Sequence, residues 1–226
     1  MLTRYRWYRI QMPHDNQDLA KIISDNPLTQ DASFGFLYIS GEFGSPKYRF
    51  LWRTKVVVTR FDDEGTPSYE AVASVSFTDF AIVQIDGTTF FRIENPSRNV
   101  RELLNALESI LGLGFTSKQL TFDKAKPTTV FESVDSTKLV GLKVVGAVID
   151  DDLVARMEFA SKRGMIVENM KLLNDLRYKV DICTFELIYE GVRGQLVFAS
   201  SGLVKVSGQL APRLLHLIEQ DLPKLG

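Results

Sequence analysis

Apolar residues recur at every second position over most of this chain, a spacing typical of β-strands, whose successive side chains point to opposite faces. Turn residues separate the apolar runs. Asp86-Gly87 is the clearest of these signals, because a two-residue hairpin turn needs residues that tolerate positive φ. The predicted strands cover residues 4–10, 34–39, 47–60, 69–77, 80–85, 88–93, 139–149, 178–189, 194–199 and 203–206.

Four segments predict helices instead, because their apolar residues recur every three or four positions or their ends carry capping residues. Asp15 is a candidate cap of the first helix, and Asn99 with Glu102 forms a capping box for the second. The third segment also alternates as a strand would, but the aspartates before it and Gly164 after it favour a helix. The predicted helices cover residues 15–25, 99–111, 153–163 and 212–222.

Residues 47–60 form the longest uninterrupted strand pattern, and the chain is organised around it. One predicted face carries Tyr48, Phe50, Trp52, Val56 and Val58 and should cover a core. The other face carries a series of cations. Those cations are Lys47, Arg49, Arg53 and Lys55.

The two halves of the chain end alike. Residues 80–111 and 194–222 each contain a strand, a glycine turn, a second strand and an amphipathic helix. The pattern therefore predicts an α+β fold made of two antiparallel β-meander-plus-helix halves. An internal β-β-α repeat is one interpretation, and independent use of a common unit is the other. We expect an N-terminal domain at 1–116, a linker at 117–136 and a C-terminal domain at 137–226.

This order of elements resembles the TATA-binding-protein fold in outline. That resemblance implies two repeats, each a curved antiparallel sheet backed by helices. It covers topology alone, because the intercalating phenylalanine pairs of that family have no counterpart at matching places. Fold does not fix function, so no residue role is carried over from the family.

Composition fits an ordinary soluble globular protein: 226 residues, 45% hydrophobic, 24% charged, net charge −1. Residues 1–60 nevertheless hold nine Lys or Arg against five Asp or Glu, so the N-terminal quarter is basic. The single cysteine, Cys183, indicates a reducing compartment, and we expect a cytoplasmic protein of microbial origin. No apolar run is long enough for a transmembrane helix, so no membrane association is expected.

Common catalytic signatures are missing from the sequence. It contains no phosphate-binding glycine loop and no nucleophile-elbow motif. Cys183 and the widely separated His14 and His216 do not form a spacing suited to a zinc site. We therefore expect no catalytic residue, no metal, no cofactor and a non-enzymatic binding protein.

Two stretches interleave cations with aromatic residues, a combination that suits nucleic acid because cations neutralise phosphates and rings stack on bases. The first hypothesis is therefore DNA or RNA binding through one basic face. Its candidate residues are Arg4, Arg6, Arg9, Lys47, Arg49, Arg53 and Lys55.

Two other readings of these cations stay open. They can protect an exposed strand from edge pairing, or they can belong to a protein interface. The second hypothesis is accordingly a protein–protein adaptor, or a subunit of a larger complex acting with a separately encoded enzyme. Its partner is another protein or a second copy of the chain.

Overall fold

The computed structural model describes residues 1–13, 18–42, 45–96, 100–122, 127–150 and 153–225. Antiparallel strands dominate this part of the chain, with a few short helices. The strands are β1 (Leu2–Gln11), β2 (Phe34–Glu42), β3 (Ser45–Phe61), β4 (Pro67–Ile85), β5 (Thr88–Glu94), β6 (Thr116–Gln119), β7 (Ser136–Asp150), β8 (Leu153–Ala160), β9 (Lys179–Tyr189), β10 (Val192–Ala199) and β11 (Val204–Ser207). The helices are α1 (Leu19–Ser24), α2 (Val100–Leu111), α3 (Thr129–Ser133) and α4 (Ala211–Glu219), with 3₁₀ turns at Val167–Asn169 and Leu222–Leu225.

The predicted α+β class with antiparallel sheet is thus confirmed. The hairpin-then-helix order expected in both halves is present as β4-β5-α2 and β10-β11-α4. A duplication behind this order and the TATA-binding-protein outline stay predictions. None of the helices in the described ranges has the length and apolarity needed to cross a membrane.

Helix ends follow local capping. α1 begins after Asp18, whose carboxylate accepts the N–H of Lys21 at 3.1 Å, and it ends one residue before the predicted Asp25. The predicted caps Asp15 and Asn99 lie outside the described residues.

The helix predicted at 153–163 is wrong, because this segment is strand β8. Leu142 lies opposite Phe159 and Val144 opposite Met157 in the antiparallel ladder with β7. Met157 and Phe159 alternate with exposed residues and pack on a small core that contains Leu173. Pairing with β7 therefore overrides the local capping signals.

β4 is one continuous strand, whereas two strands, at 69–77 and 80–85, were predicted with Thr78-Asp79 between them. Its pairing with β3 continues through this point, since Phe50 lies opposite Thr78 and Arg49 opposite Asp79. The sequence of β4 alone does not show this continuity, because the pairing with β3 sets it.

The described chain divides into two compact units. Unit 1 comprises Met1–Ile10, Val83–Asn95 and Ser117–Gly226, and unit 2 comprises Gln11–Ile82 and Pro96–Thr116. Both units thus draw on separate stretches of sequence, whereas the predicted division was a linker at 117–136.

The segment predicted as a linker packs inside unit 1. Leu120 and Val130 are buried in its main core, together with residues of β1, β10 and α4. Asp221 accepts the N–H groups of Thr128 and Thr129 at 2.9 and 2.8 Å, at the start of α3. Asp221 lies about ninety positions away from these residues in the chain. Contacts at that separation do not show in the local composition, so the segment has the composition of a polar linker.

Within unit 1 the strand order is β5-β1-β11-β10-β9-β7-β8, and β6 also pairs with β1. The fully buried Trp7 on β1 packs in a core with α4 side chains such as Leu214 and Ile218. α3 lies against α4.

Unit 2 is a sheet of β2, β3 and β4 with the helices α1 and α2. Aromatic rings fill its centre: Phe36 lies 5.3 Å from Phe50 and 6.2 Å from Phe80, measured between ring centroids. The predicted burial of Tyr48, Phe50 and Trp52 is confirmed. These rings anchor the proximal part of the hairpin β3–β4.

Candidate interaction surface

The distal part of the hairpin β3–β4 extends beyond this aromatic core. We call residues 53–61 of β3 and 67–75 of β4 the ribbon. Strand β2 pairs with β3 only as far as Trp52, so the ribbon has no third strand among the described residues. Nine residues of strand span roughly 30 Å at about 3.3 Å per residue.

The ribbon exposes large apolar side chains on both of its faces. Val57, Phe61 and Tyr69 are 62%, 69% and 71% exposed. Val58 and Val72 are 39% and 40% exposed on the opposite face. A two-stranded hairpin with both faces in water is marginally stable, and exposed patches of this kind mark interaction sites.

The β3 edge of the ribbon is also unpaired. Arg53 N–H points away from β4, since it donates to the carbonyl of Ser33 at 2.9 Å. Alternate residues of a strand point their N–H and C=O groups to the same side. The backbone groups of Lys55, Val57 and Thr59 therefore also point outward, where no described strand meets them.

Charge is distributed unevenly along the ribbon. Its base carries Arg53 and Lys55, and the turn at its far end carries Asp62, Asp63 and Glu64. Asp62 orders this turn, because its carboxylate accepts the N–H groups of Glu64 and Thr66 at 3.0 and 2.8 Å. The ribbon is thus basic at its base and acidic at its tip.

Two of the unit 2 residues that were predicted to bind nucleic acid already have partners inside the protein. Arg49 forms a two-point ion pair with Asp79 at 2.7 and 2.9 Å, and its guanidinium lies 4.2 Å from the centroid of Phe77. The hydrogen bond that Arg49 donates to Asp79 raises the pKa of Arg49. Arg53 donates to the carbonyls of Thr29, Gln30 and Ala32 at 3.0 to 3.2 Å. Its side chain therefore fastens a loop to β3.

The other two candidates of unit 2 differ in exposure. Lys47 is half-buried opposite Ala81, whereas Lys55 is exposed opposite Ala73. By strand alternation all four cations lie on one side of β3. Only part of its positive charge is available to a ligand.

The three candidates of unit 1 do not share a face. Arg4 and Arg6 lie on one side of β1 by strand alternation, and Arg9 lies on the other. Arg9 donates to the carbonyl of Pro223 at 3.0 Å, and its guanidinium lies 5.8 Å from the centroid of Phe90. It therefore has a packing role. Lys205, which the sequence did not suggest, lies directly opposite Arg4.

The hypothesis of one continuous basic surface assumed that the strands of the two stretches are neighbours. β1 pairs with β5, β6 and β11, and β3 pairs with β2 and β4. The two strands are therefore not hydrogen-bonded neighbours, and nucleic-acid binding by the seven cations stays a prediction.

Unit 1 contains a buried polar cluster that the sequence pattern does not predict. Glu219 Oε1 accepts from Arg92 Nη1 at 2.8 Å and from Trp7 Nε1 at 3.0 Å. The Arg92 and Glu219 side chains are only 5% and 8% exposed. A buried pair with its hydrogen bonds satisfied fixes how α4 sits on the sheet.

A cleft of about 280 Å³ lies within unit 2, between β3 and α2. Its apolar wall consists of Phe34, Phe50 and Trp52, and Glu102 and Asn105 of α2 lie on its polar side. Phe50 and Trp52 stack on each other at 5.1 Å, so most of this aromatic surface is used internally. In the described ranges no three His, Cys, Asp or Glu side chains are grouped to hold a metal ion.

The sequence pattern did not reveal the ribbon, because alternation places Val56 and Val58 on the face that was expected to cover a core. Alternation shows which residues share a face, and it does not show how far the body beneath that face extends. The one available signal was the length of the β3 pattern compared with the much shorter β2 pattern. Comparison of the chain with models of known families and with curated proteins found no match.

Proposed function

We propose that the protein is a protein-binding module, an adaptor or a subunit of an assembly, and that its ribbon is the binding element. The observation that carries this proposal is the pair of exposed apolar faces between unpaired strand edges. Such an element exposes apolar surface to water, which is unfavourable until another polypeptide covers it. Its unpaired edge offers the backbone groups that strand addition uses.

The charge of the ribbon favours a protein partner over nucleic acid. Asp62, Asp63 and Glu64 form the end that reaches furthest from the sheet, and carboxylates there repel phosphates. Arg49 is neutralised by Asp79, and the guanidinium of Arg53 is already bound to three carbonyls.

Nucleic-acid binding is the second candidate function, favoured by the exposed Lys55 next to Arg53. It predicts affinity for DNA or RNA that falls steeply with salt. Electrophoretic shifts at two salt concentrations, with Arg53 and Lys55 changed together to Glu, test it. Equal binding by this variant and the wild type contradicts it.

Site-specific photo-cross-linking in the cells that contain the protein tests the protein-binding proposal. A photoreactive amino acid replaces Phe61 or Tyr69 in the full chain. Leu113 is the matched control, because it is a fully exposed leucine just beyond α2 in the same unit. We expect covalent adducts with protein at the two ribbon positions and none at the control.

Two outcomes contradict the proposal. One is equal labelling at the ribbon and at Leu113, which would show that the ribbon stays uncovered. The other is labelling of nucleic acid at the ribbon positions, which would favour the second candidate.

A further inference from the structure

We infer that the polypeptide which covers the ribbon is a second copy of this chain. In this arrangement the β3 edges of two copies pair antiparallel about a two-fold axis at Val57. The inference rests on the proposed function and names its partner. It is argued from backbone direction, charge and the extent of the unpaired edge.

Backbone geometry sets the register. The β3 strand of the ribbon runs from Arg53 to Phe61, so its centre falls at Val57, and within the described residues its edge is unpaired after Arg53. An antiparallel self-pairing centred there places Lys55 of one copy opposite Thr59 of the other. The backbone groups of Lys55, Val57 and Thr59 all point outward, so each opposed pair can exchange both of its hydrogen bonds. A register shifted by one residue opposes inward-pointing groups to outward-pointing ones and loses these bonds.

Charge complementarity favours the same antiparallel direction. Reversing one ribbon relative to the other brings the acidic tip of each copy to the basic base of its neighbour. With Val57 at the axis, Phe61 of one copy reaches Arg53 of the other, so the acidic turn that follows Phe61 begins at the basic base, once on each side of the axis. A parallel arrangement brings like charges together at both ends, which is unfavourable.

Pairing also answers the stability problem of the ribbon. Joining two hairpins by their β3 edges makes a four-stranded sheet, and three or more strands are what an independent sheet requires. Val56 of one copy then lies opposite Val58 of the other on the same face, and such β-branched cross-strand pairs stabilise a sheet. The valine run in the middle of β3 thus becomes the centre of an isologous interface.

Disulfide cross-linking of purified full-length protein tests this register. Directly opposed residues of a hydrogen-bonded antiparallel pair have Cα atoms about 5.5 Å apart, within the usual range of a disulfide. Val57→Cys should therefore form a disulfide-linked dimer under mild oxidation. The wild type is the control, because its single cysteine, Cys183, is buried.

A mixing experiment distinguishes this register from any other. Lys55→Cys and Thr59→Cys should each stay uncross-linked alone, because each residue lies roughly 13 Å along the strand from its own copy. An equimolar mixture of the two should give a disulfide-linked heterodimer. Cross-linking of either variant alone, or no product in the mixture, overturns the register.

Charge pairing tests the register by sedimentation equilibrium. Thr59→Glu places a carboxylate directly opposite Lys55 of the other copy, once on each side of the axis, and should tighten the dimer by about fivefold. Adding Lys55→Glu to that variant opposes like charges and should make the dimer weaker than the wild type. A dimer whose affinity neither change alters would overturn the register.

The two levels of proposal fail differently. A wild-type chain that stays monomeric at high concentration overturns the second copy as partner. The ribbon photo-adducts described above would then contain a different protein, and the protein-binding proposal would survive. Adducts with twice the mass of the chain support both.

Discussion

The two long hairpins of this protein, β3–β4 and β7–β8, start from similar sequences and end in different states. Each has valine-rich strands with an acidic run between them in the sequence, Asp62-Asp63-Glu64 in the first and Asp150-Asp151-Asp152 in the second. The β3–β4 ladder runs in unbroken register from Lys47 to Phe61. The β7–β8 ladder shifts register twice after Val144, and Gly146 there adopts a φ of +65°.

The second difference is the support on the outer edge. β7 pairs with β9 from Ser136 to Val145, and the N–H of Val148 donates to the carbonyl of Arg177 at 3.1 Å. Only the last few residues of that hairpin are exposed on both faces. A bulge bends a strand and increases its twist, whereas an unbroken ladder continues straight. The ribbon therefore owes its length to an unbroken ladder and to the lack of a third strand in the part of the chain that the structure describes.

The largest expected difference between the hairpins is in association. One variant joins Thr54 to Ser74 through Asn-Gly, which removes most of the ribbon while keeping a two-residue hairpin. Its matched control joins Ala147 to Ala155 in the same way. We expect the first variant to lose self-association completely and the second to retain it, measured by light scattering. Equal loss in both would show that the hairpins are equivalent.

A matched valine truncation measures how much each hairpin contributes to the folded chain. Val144→Ala should lower the free energy of unfolding by about 2 kcal/mol, because Val144 is fully buried. Val57→Ala should change it by less than about 0.5 kcal/mol at protein concentrations where the chain is monomeric. Urea denaturation checks both. Similar costs would mean that the ribbon is packed against the protein.

Gly146→Ala tests the bulge of β7. A side chain at a φ of +65° is strained, so we expect a loss of about 1 kcal/mol in the free energy of unfolding. Ala147→Gly is a comparison one residue away, in the ladder itself. If Gly146→Ala is neutral, backbone strain does not explain why the register shifts at this point.

The smallest effect concerns pH and the strand that braces β7. Glu186 on β9 accepts from Lys138 at 2.8 Å and from Arg193 at 2.6 Å, and these bonds lower the pKa of Glu186. Because its pKa is lower in the folded state, the stability that Glu186 contributes is present above its unfolded pKa. That contribution is lost as pH falls through the folded pKa.

Thermal unfolding of the wild type and Glu186→Gln between pH 7 and acid checks this sign. The wild type should be slightly more stable at neutral pH, and the gap should close on acidification. A gap that widens in acid would contradict the assignment.

Much of the local structure could be predicted from the sequence. The period-two pattern gave the burial of Tyr48, Phe50 and Trp52, and Asp86-Gly87 marked a real turn between β4 and β5. The last predicted helix is present as α4, with His216 exposed on its polar side. These features depend on residues close together in the chain, so their pattern is visible without a fold.

The partners of the charged residues could not be predicted in the same way. Arg49 meets Asp79 thirty residues later, Arg9 meets the carbonyl of Pro223, and Glu219 receives Arg92 and Trp7. Spacing along the chain therefore does not show which cations are engaged inside the protein, because side chains with similar sequence surroundings have different partners in space.

The sequence by itself determined that this protein is an antiparallel α+β protein and which residues share a strand face. Only the tertiary structure decided that β8 is a strand, that Leu120 and Val130 pack in the core of unit 1, and that the valines of the ribbon lie in water. The physical reason is the range of the interactions. Alternation and turn chemistry are local, whereas burial and strand support require a partner from elsewhere in the chain, and the ribbon has none within the described residues.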